Sequence, residues 1–206
     1  MGLIAVIDFE TTGLSPAMGD RATEVAIVLV EGGCVVARFQ SLMNAGVRLS
    51  AFITQFTGIT NAMVASAPLA DKVMNDASRF VGNAPMVAHN AAFDAKFWRA
   101  ELLRADQCAN HVFACTLLVS RRLYPQVPSY KLGALADFHR LPTSGRAHRA
   151  MADAETAAAL LFQIQHDLRA SHRVVRPDHA MLMALQRCAK PKIPAFMVKY
   201  AGQTAG

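Results

Sequence analysis

Leu3-Ile-Ala-Val-Ile-Asp-Phe-Glu-Thr-Thr-Gly-Leu14 decides how the rest of the chain is read. Leu3 to Ile7 is an apolar run with the length of a buried strand, and side chains two apart on a strand point to one face. Asp8 and Glu10 therefore converge if the strand continues through them. Two carboxylates placed that close at the end of a buried strand repel one another and lose hydration; hard divalent cations with oxygen ligands relieve both penalties. The alternative is a strand that ends at Ile7, with both acids solvated on a loop. The stretch alone leaves both open.

Two later segments supply further acids. Met86-Val-Ala-His-Asn-Ala-Ala-Phe-Asp94 reads as a short strand, then Asn90 as helix N-cap, then a helix through Phe93, Phe97, Ala100 and Arg104. Asp94 falls in its first turn, where the helix dipole favours a carboxylate. Ala147-His-Arg-Ala-Met-Ala-Asp153 opens a long helix whose inner stripe is Ala157, Leu160, Ile164 and Leu168. Asp153 lies on that stripe, and an acid on a buried helix face needs a partner. His148 is predicted on the loop entering this helix, from which it can swing over the site.

These three motifs, Asp8-Phe-Glu10-Thr-Thr-Gly-Leu14, His89-Asn-Ala-Ala-Phe-Asp94 and His148-x4-Asp153, resemble in kind and order those of the DnaQ-like, DEDDh-type 3′-to-5′ exonucleases. Within that family the chain is most similar to the proofreading (epsilon) subunits of bacterial DNA polymerase III. The resemblance covers residues 3 to 168 and implies a ribonuclease H-like α/β fold: a mixed sheet with an antiparallel strand meander, flanked by helices. It also implies two divalent ions, Mg²⁺ or Mn²⁺, held by Asp8, Glu10, Asp94 and Asp153, for in-line phosphodiester hydrolysis. Asp8 would bridge both ions, Glu10 and Asp153 would complete the first site, and Asp94 would hold the second, largely through water. His148 would be the general base, a role that suits an imidazole near neutral pH.

Substrate contacts follow from the same resemblance. Backbone groups at Thr11, Thr12 and Gly13 would approach the terminal sugar. Leu14 and Phe56 would wedge or stack against the last base, a contact tolerant of any base. Phe56-Thr-Gly-Ile-Thr60 resembles the segment lining the terminal-nucleotide pocket, with Thr57 where epsilon subunits carry His, which leaves substrate preference open. Asn90 is expected to bind substrate, to cap its helix, or both. The expected substrate is a nucleic-acid 3′ end, single-stranded DNA above RNA. Two rival readings stand beside it: an RNA-trimming relative, and a non-catalytic subunit that binds nucleic acid or a polymerase. A retired site should lack an acid or the histidine, and here none is missing.

Elsewhere the chain predicts strands at 3–9, 22–30 and 34–42, with Gly32-Gly33 as a hairpin turn. An irregular stretch from Asn44 to Gly58 follows, then helices near 61–66 and 69–82. Strand–helix alternation continues with strands 85–89 and 111–115 and helices 91–104, 116–124, 131–138 and 150–170. Cys108-x2-His111-x3-Cys115 mimics zinc spacing without an obvious fourth ligand and reads as packing. The four scattered cysteines, the lack of a basic leader before Leu3 and the absence of an apolar run of membrane-spanning length predict a reduced, cytoplasmic setting.

Charge divides the chain. Residues 1–168 carry 14 basic and 14 acidic side chains, whereas residues 169–206 carry seven basic ones against Asp178 alone, so the net +6 resides in the tail. The predicted organisation is an exonuclease domain over 1–170 and a basic, partly apolar extension over 171–206. That extension is expected to contact nucleic acid, a second copy of the chain or a polymerase subunit.

Overall fold

The structure is a computed structural model that describes residues 2–143, 145 and 148–201. Residues 202–206 of the predicted extension and Ala147 of the His148 segment lie outside the described residues. Five strands, β1 (Ile4–Thr11), β2 (Ala22–Glu31), β3 (Cys34–Leu42), β4 (Met86–Ala88) and β5 (Phe113–Cys115), form one sheet in the order β3-β2-β1-β4-β5. β1, β2 and β3 are the antiparallel meander, and β4 and β5 add in parallel. Gly32 and Gly33 both have positive φ, the backbone that a tight hairpin demands.

β1 and β2 are almost wholly buried because helices cover both faces, which is why their sequences run apolar without alternation. Ile4 and Val6 face one core with α7 (Ala150–Ala170), while Ala5, Ile7 and Phe9 face another with α3 (Ala70–Val81) and α4 (Ala92–Arg104). Alternation thus points Asp8 and Glu10 to the α7 side. Ala150, Ala154, Ala157 and Ala158 of α7 are buried there, and their small side chains let the helix lie close on the sheet.

The remaining helices are α1 (Ala51–Thr57), α2 (Asn61–Ala65), α5 (Thr116–Leu123), α6 (Leu132–His139), α8 (His179–Leu185) and α9 (Ile193–Ala201). α1 corrects the expectation of an irregular stretch from Asn44 to Gly58. The Ser50 hydroxyl caps it by accepting from the Ile53 N–H, and Gly58, with φ 76°, ends it. Its periodicity is hard to read because Phe52 and Phe56 do not face the core. Asn90 is also corrected as a cap: it has φ 65°, Ala91 takes the N-cap position, and no side-chain cap bond is made.

Beyond α7 the chain packs back on the sheet. Met181, Leu182 and Leu185 of α8 join Leu161, Ile164 and Leu168 of α7 in one core, each contributing about 1.5–3 kcal/mol by burial. Buried His179 donates from Nε2 to the Met86 carbonyl at 2.8 Å. Just past α8, the Gln186 side chain accepts from the Cys115 N–H at 2.6 Å and donates to the Phe113 carbonyl at 3.4 Å, meeting the free edge of β5. Met197 anchors α9 in the same core. No helix among the described residues is long and apolar enough to cross a membrane.

Candidate active site

β1 continues through Asp8 and Glu10, which removes the solvated-loop alternative. One oxygen from each of Asp8, Glu10 and Asp153 lies within 4.8 Å of the others. Asp94 approaches from the first turn of α4, nearly fully buried, with its Oδ1 accepting from the Phe9 N–H at 3.2 Å. These four acids and His148 line one cleft of about 380 Å³.

The acids repel one another. Burial first, then Asp94, Asp153 and Glu10, push the Asp8 carboxyl well above its ordinary range. Burial, then the charges of Asp153 and Glu24, lift Glu10 to about 8. Burial raises Asp94 to about 7 against the pull of its own and the Phe9 N–H groups and of Lys96. Asp153 is raised by burial as well, tempered by the His148 N–H. Four carboxyls held in one cleft, offering only oxygen donors, suit hard divalent cations, whose charge relieves both burial and repulsion.

His148 lies ahead of α7, as its position in the sequence predicts. It takes φ 61°, its N–H donates to Asp153 Oδ2 at 3.0 Å, and its ring lies 3.9 Å from that of Phe56. Leu14, 76% exposed, and Phe56, 45% exposed, line the cleft rather than the core. Thr11, Gly13, Thr57 and Asn90 also line it. The Thr57 hydroxyl is engaged locally, donating to the Ile53 carbonyl and accepting from the Ile59 N–H. Thr12 is turned away: its N–H donates to the Arg21 carbonyl and its hydroxyl accepts from the Arg21 N–H. A Cβ at Gly13 would lie 2.4 Å from the Asp20 carboxylate, which accepts from the Ser15 N–H and would have to shift to make room.

Several residues of the site escape sequence reasoning. Glu24 is buried opposite Glu10 on β2 and binds the Arg149 guanidinium at 2.8 and 3.1 Å, the Ala150 N–H at 3.1 Å and the Gln40 amide at 2.8 Å. Burial opposes its charge, but these donors outweigh that and hold its pKa below the ordinary value. One acid inside the apolar run of β2 was the available signal. Phe52, 70% exposed, stacks on Phe56 at 5.9 Å between ring centroids, and the i, i+4 aromatic spacing was its signal. Lys96 donates to the Leu14 carbonyl and lies over the Phe93 ring.

His89, also on the cleft wall, donates from Nε2 to the Tyr130 carbonyl, so its Nδ1 accepts from the Thr116 hydroxyl. Burial lowers its pKa to about 4. The zinc-like Cys108, His111 and Cys115 do not form a ligand set. His111 accepts from Trp98 Nε1 at Nδ1 and donates to the Gly82 carbonyl, while Cys115 is buried in β5.

Residues 5–161 match the profile of the exonuclease (RNase_T) family. The PolC-type DNA polymerase III of Caldanaerobacter subterraneus subsp. tengcongensis is 34% identical over 96% of this chain and 14% of its own length. The 3′-5′ exonuclease DinG of Bacillus subtilis is 36% identical over 80% of this chain and 18% of its own. The chain thus spans less than a fifth of these relatives. Among solved structures, exonuclease X in complex with 5′ overhanging duplex DNA superposes with a TM-score of 0.64 at 30% identity, covering 79% of this chain and 91% of that one. The nuclease domain of 3′hExo, a DEDDh family member, has the same fold, with a TM-score of 0.69 at 20% identity over 80% of this chain and 92% of that one. With its ribonuclease H-like mixed sheet and its ordered acidic motifs, the chain belongs to the exonuclease family.

Proposed function

We propose that this protein is a metal-dependent 3′-to-5′ exonuclease that releases nucleoside 5′-monophosphates from single-stranded DNA. The observation that carries this reading is the convergence of Asp8, Glu10 and Asp153 in one cleft with Asp94 and His148. In it, Asp8, Glu10, Asp94 and Asp153 would hold two Mg²⁺ or Mn²⁺ ions. When bound, the ions supply activation of the attacking water and stabilisation of the leaving oxygen. His148 removes a proton from that water, the bond from phosphorus to the 3′-oxygen breaks, and the shortened strand keeps a 3′-hydroxyl. Leu14, Phe52 and Phe56 meet the terminal base by stacking, while Thr11, Gly13 and Asn90 border its sugar and phosphate.

Support for DNA comes from the 30% identical exonuclease X, solved with DNA, and from relatives that are DNA polymerases III. Association with a polymerase is the corresponding partner proposal. The test is degradation of oligonucleotides labelled at the 3′ or the 5′ end, as DNA and as RNA, with Mn²⁺ and with chelator. Early loss of the 3′ label from DNA and a ladder from the 5′ label, both stopped by chelator, are expected. Turnover of RNA alone, or internal cleavage, would replace this reading.

A further inference from the structure

Among the described residues, Arg21 and Arg104 pair with Glu101, Arg38 with Glu155, Arg79 with Asp76, and Arg149 with Glu24. Of the basic residues without an ion pair among the described residues, one group stands in acid-free sequence: Arg121, Arg122, Lys131, Arg187, Lys190 and Lys192 lie where the chain has no Asp or Glu, from 107 to 136 and after Asp178.

Contacts connect this group to the cleft. His89 on the cleft wall holds the Tyr130 carbonyl at 2.9 Å, and Lys131 follows, exposed. The Arg121 guanidinium lies 5.7 Å from the centre of the Tyr130 ring. Arg122, next on α5, donates from Nε to the Cys188 carbonyl at 3.2 Å, fixing the segment that carries Arg187, Lys190 and Lys192. Gln186 holds that segment from the other side through β5. The contacts thus step from the cleft wall through Tyr130 and α5 to the segment after α8.

We propose that this line is a track for the phosphate backbone of the substrate strand on the 5′ side of the cleaved bond. The inference rests on the nuclease reading above. The cleft takes the terminal nucleotide, and the track neutralises successive phosphates without reading bases, so long strands are held more tightly than short ones. The segment after α7 then belongs to substrate binding as well as to the core.

A Lys190→Ala/Lys192→Ala double variant tests this, with Arg121→Glu as an independent second variant. Affinity for a long single-stranded DNA is measured in Ca²⁺ across salt concentrations, beside hydrolysis of the p-nitrophenyl ester of thymidine 5′-monophosphate in Mn²⁺, a substrate that fills only the cleft. The double variant should lose about 1.4 from the slope of log affinity against log salt. Raising salt from about 50 to about 200 mM should therefore weaken it about sevenfold less than the parent. Ester hydrolysis should not change, and Arg121→Glu should bind the long strand more weakly at low salt. Unchanged slope and affinity in both variants would overturn the track. Failure of the parent to hydrolyse the ester and to degrade DNA would overturn the nuclease reading, whatever the binding data show. An equal slope change on RNA supports a backbone track, and a change on RNA alone overturns its assignment to DNA.

Discussion

Glu24 and Glu10 stand directly opposite each other in the β1–β2 ladder, yet they keep different company. Glu10 faces Asp8 and Asp153, while Glu24 is saturated by Arg149, Gln40 and the Ala150 N–H. The second arrangement supports the first: Arg149 follows His148 and opens α7, so the ion pair fixes the loop that carries the histidine and the helix that carries Asp153.

Arg149→Ala should leave Glu24 buried without its cation. Breaking such a pair costs about 3 kcal/mol, which for a chain of this size lowers Tm by about 6–12 °C. Glu24→Gln in the same background should recover part of that loss, because the stranded charge is gone. Calorimetry of the two single variants and the double checks it, and strict additivity would show the two residues to be independent.

The metal-free protein should lose stability as pH rises. Glu10 is lifted to about 8 and Asp94 to about 7, both above their unfolded values near 4. The folded state therefore binds protons more tightly than the unfolded state, and the slope of stability with pH is negative between about 4 and 8. Thermal melts in chelator should show Tm falling across that window, and Mg²⁺ or Mn²⁺ should restore it at the alkaline end. A Tm that rises with pH in chelator would contradict the raised carboxyls.

Asp8→Asn should abolish nuclease activity while leaving the fold intact. In chelator its Tm should equal or exceed that of the parent, by about 2–4 °C for each kcal/mol of repulsion relieved. Turnover in Mn²⁺ near the parent rate would remove Asp8 from the reaction.

His148→Ala and Phe56→Ala should separate by their kinetics. Loss of the imidazole should lower kcat by about 10²- to 10⁴-fold with KM nearly unchanged. Loss of the stacking ring should weaken strand binding by about 1–3 kcal/mol and appear in KM. Because the two rings touch, Phe56→Ala also frees His148, so a modest fall in kcat is expected beside the rise in KM. Identical profiles for the two variants would mean that one ring merely supports the other.

The sheet and the four acids were legible because strand periodicity and ordered spacing act locally: Ile4 to Glu10 and Ala150 to Leu168 each state their own face. What was not legible depended on contacts between distant segments. Glu24 meets Arg149 from 125 positions away, and no local pattern announces that partner. Helix α1 hid because its large side chains serve the cleft instead of the core, which breaks the amphipathic rule on which sequence reading depends. Asn90 looked like a cap because its side chain can act as one, but its left-handed backbone excludes that role.

Gln186 does for β5 what a further strand would do, with one side chain in place of a backbone ladder. The sheet is thereby closed to growth at that end, and β3 is left as the edge able to accept another strand. Strand pairing between two copies would therefore terminate in a pair related by a twofold axis and could not propagate into a fibre.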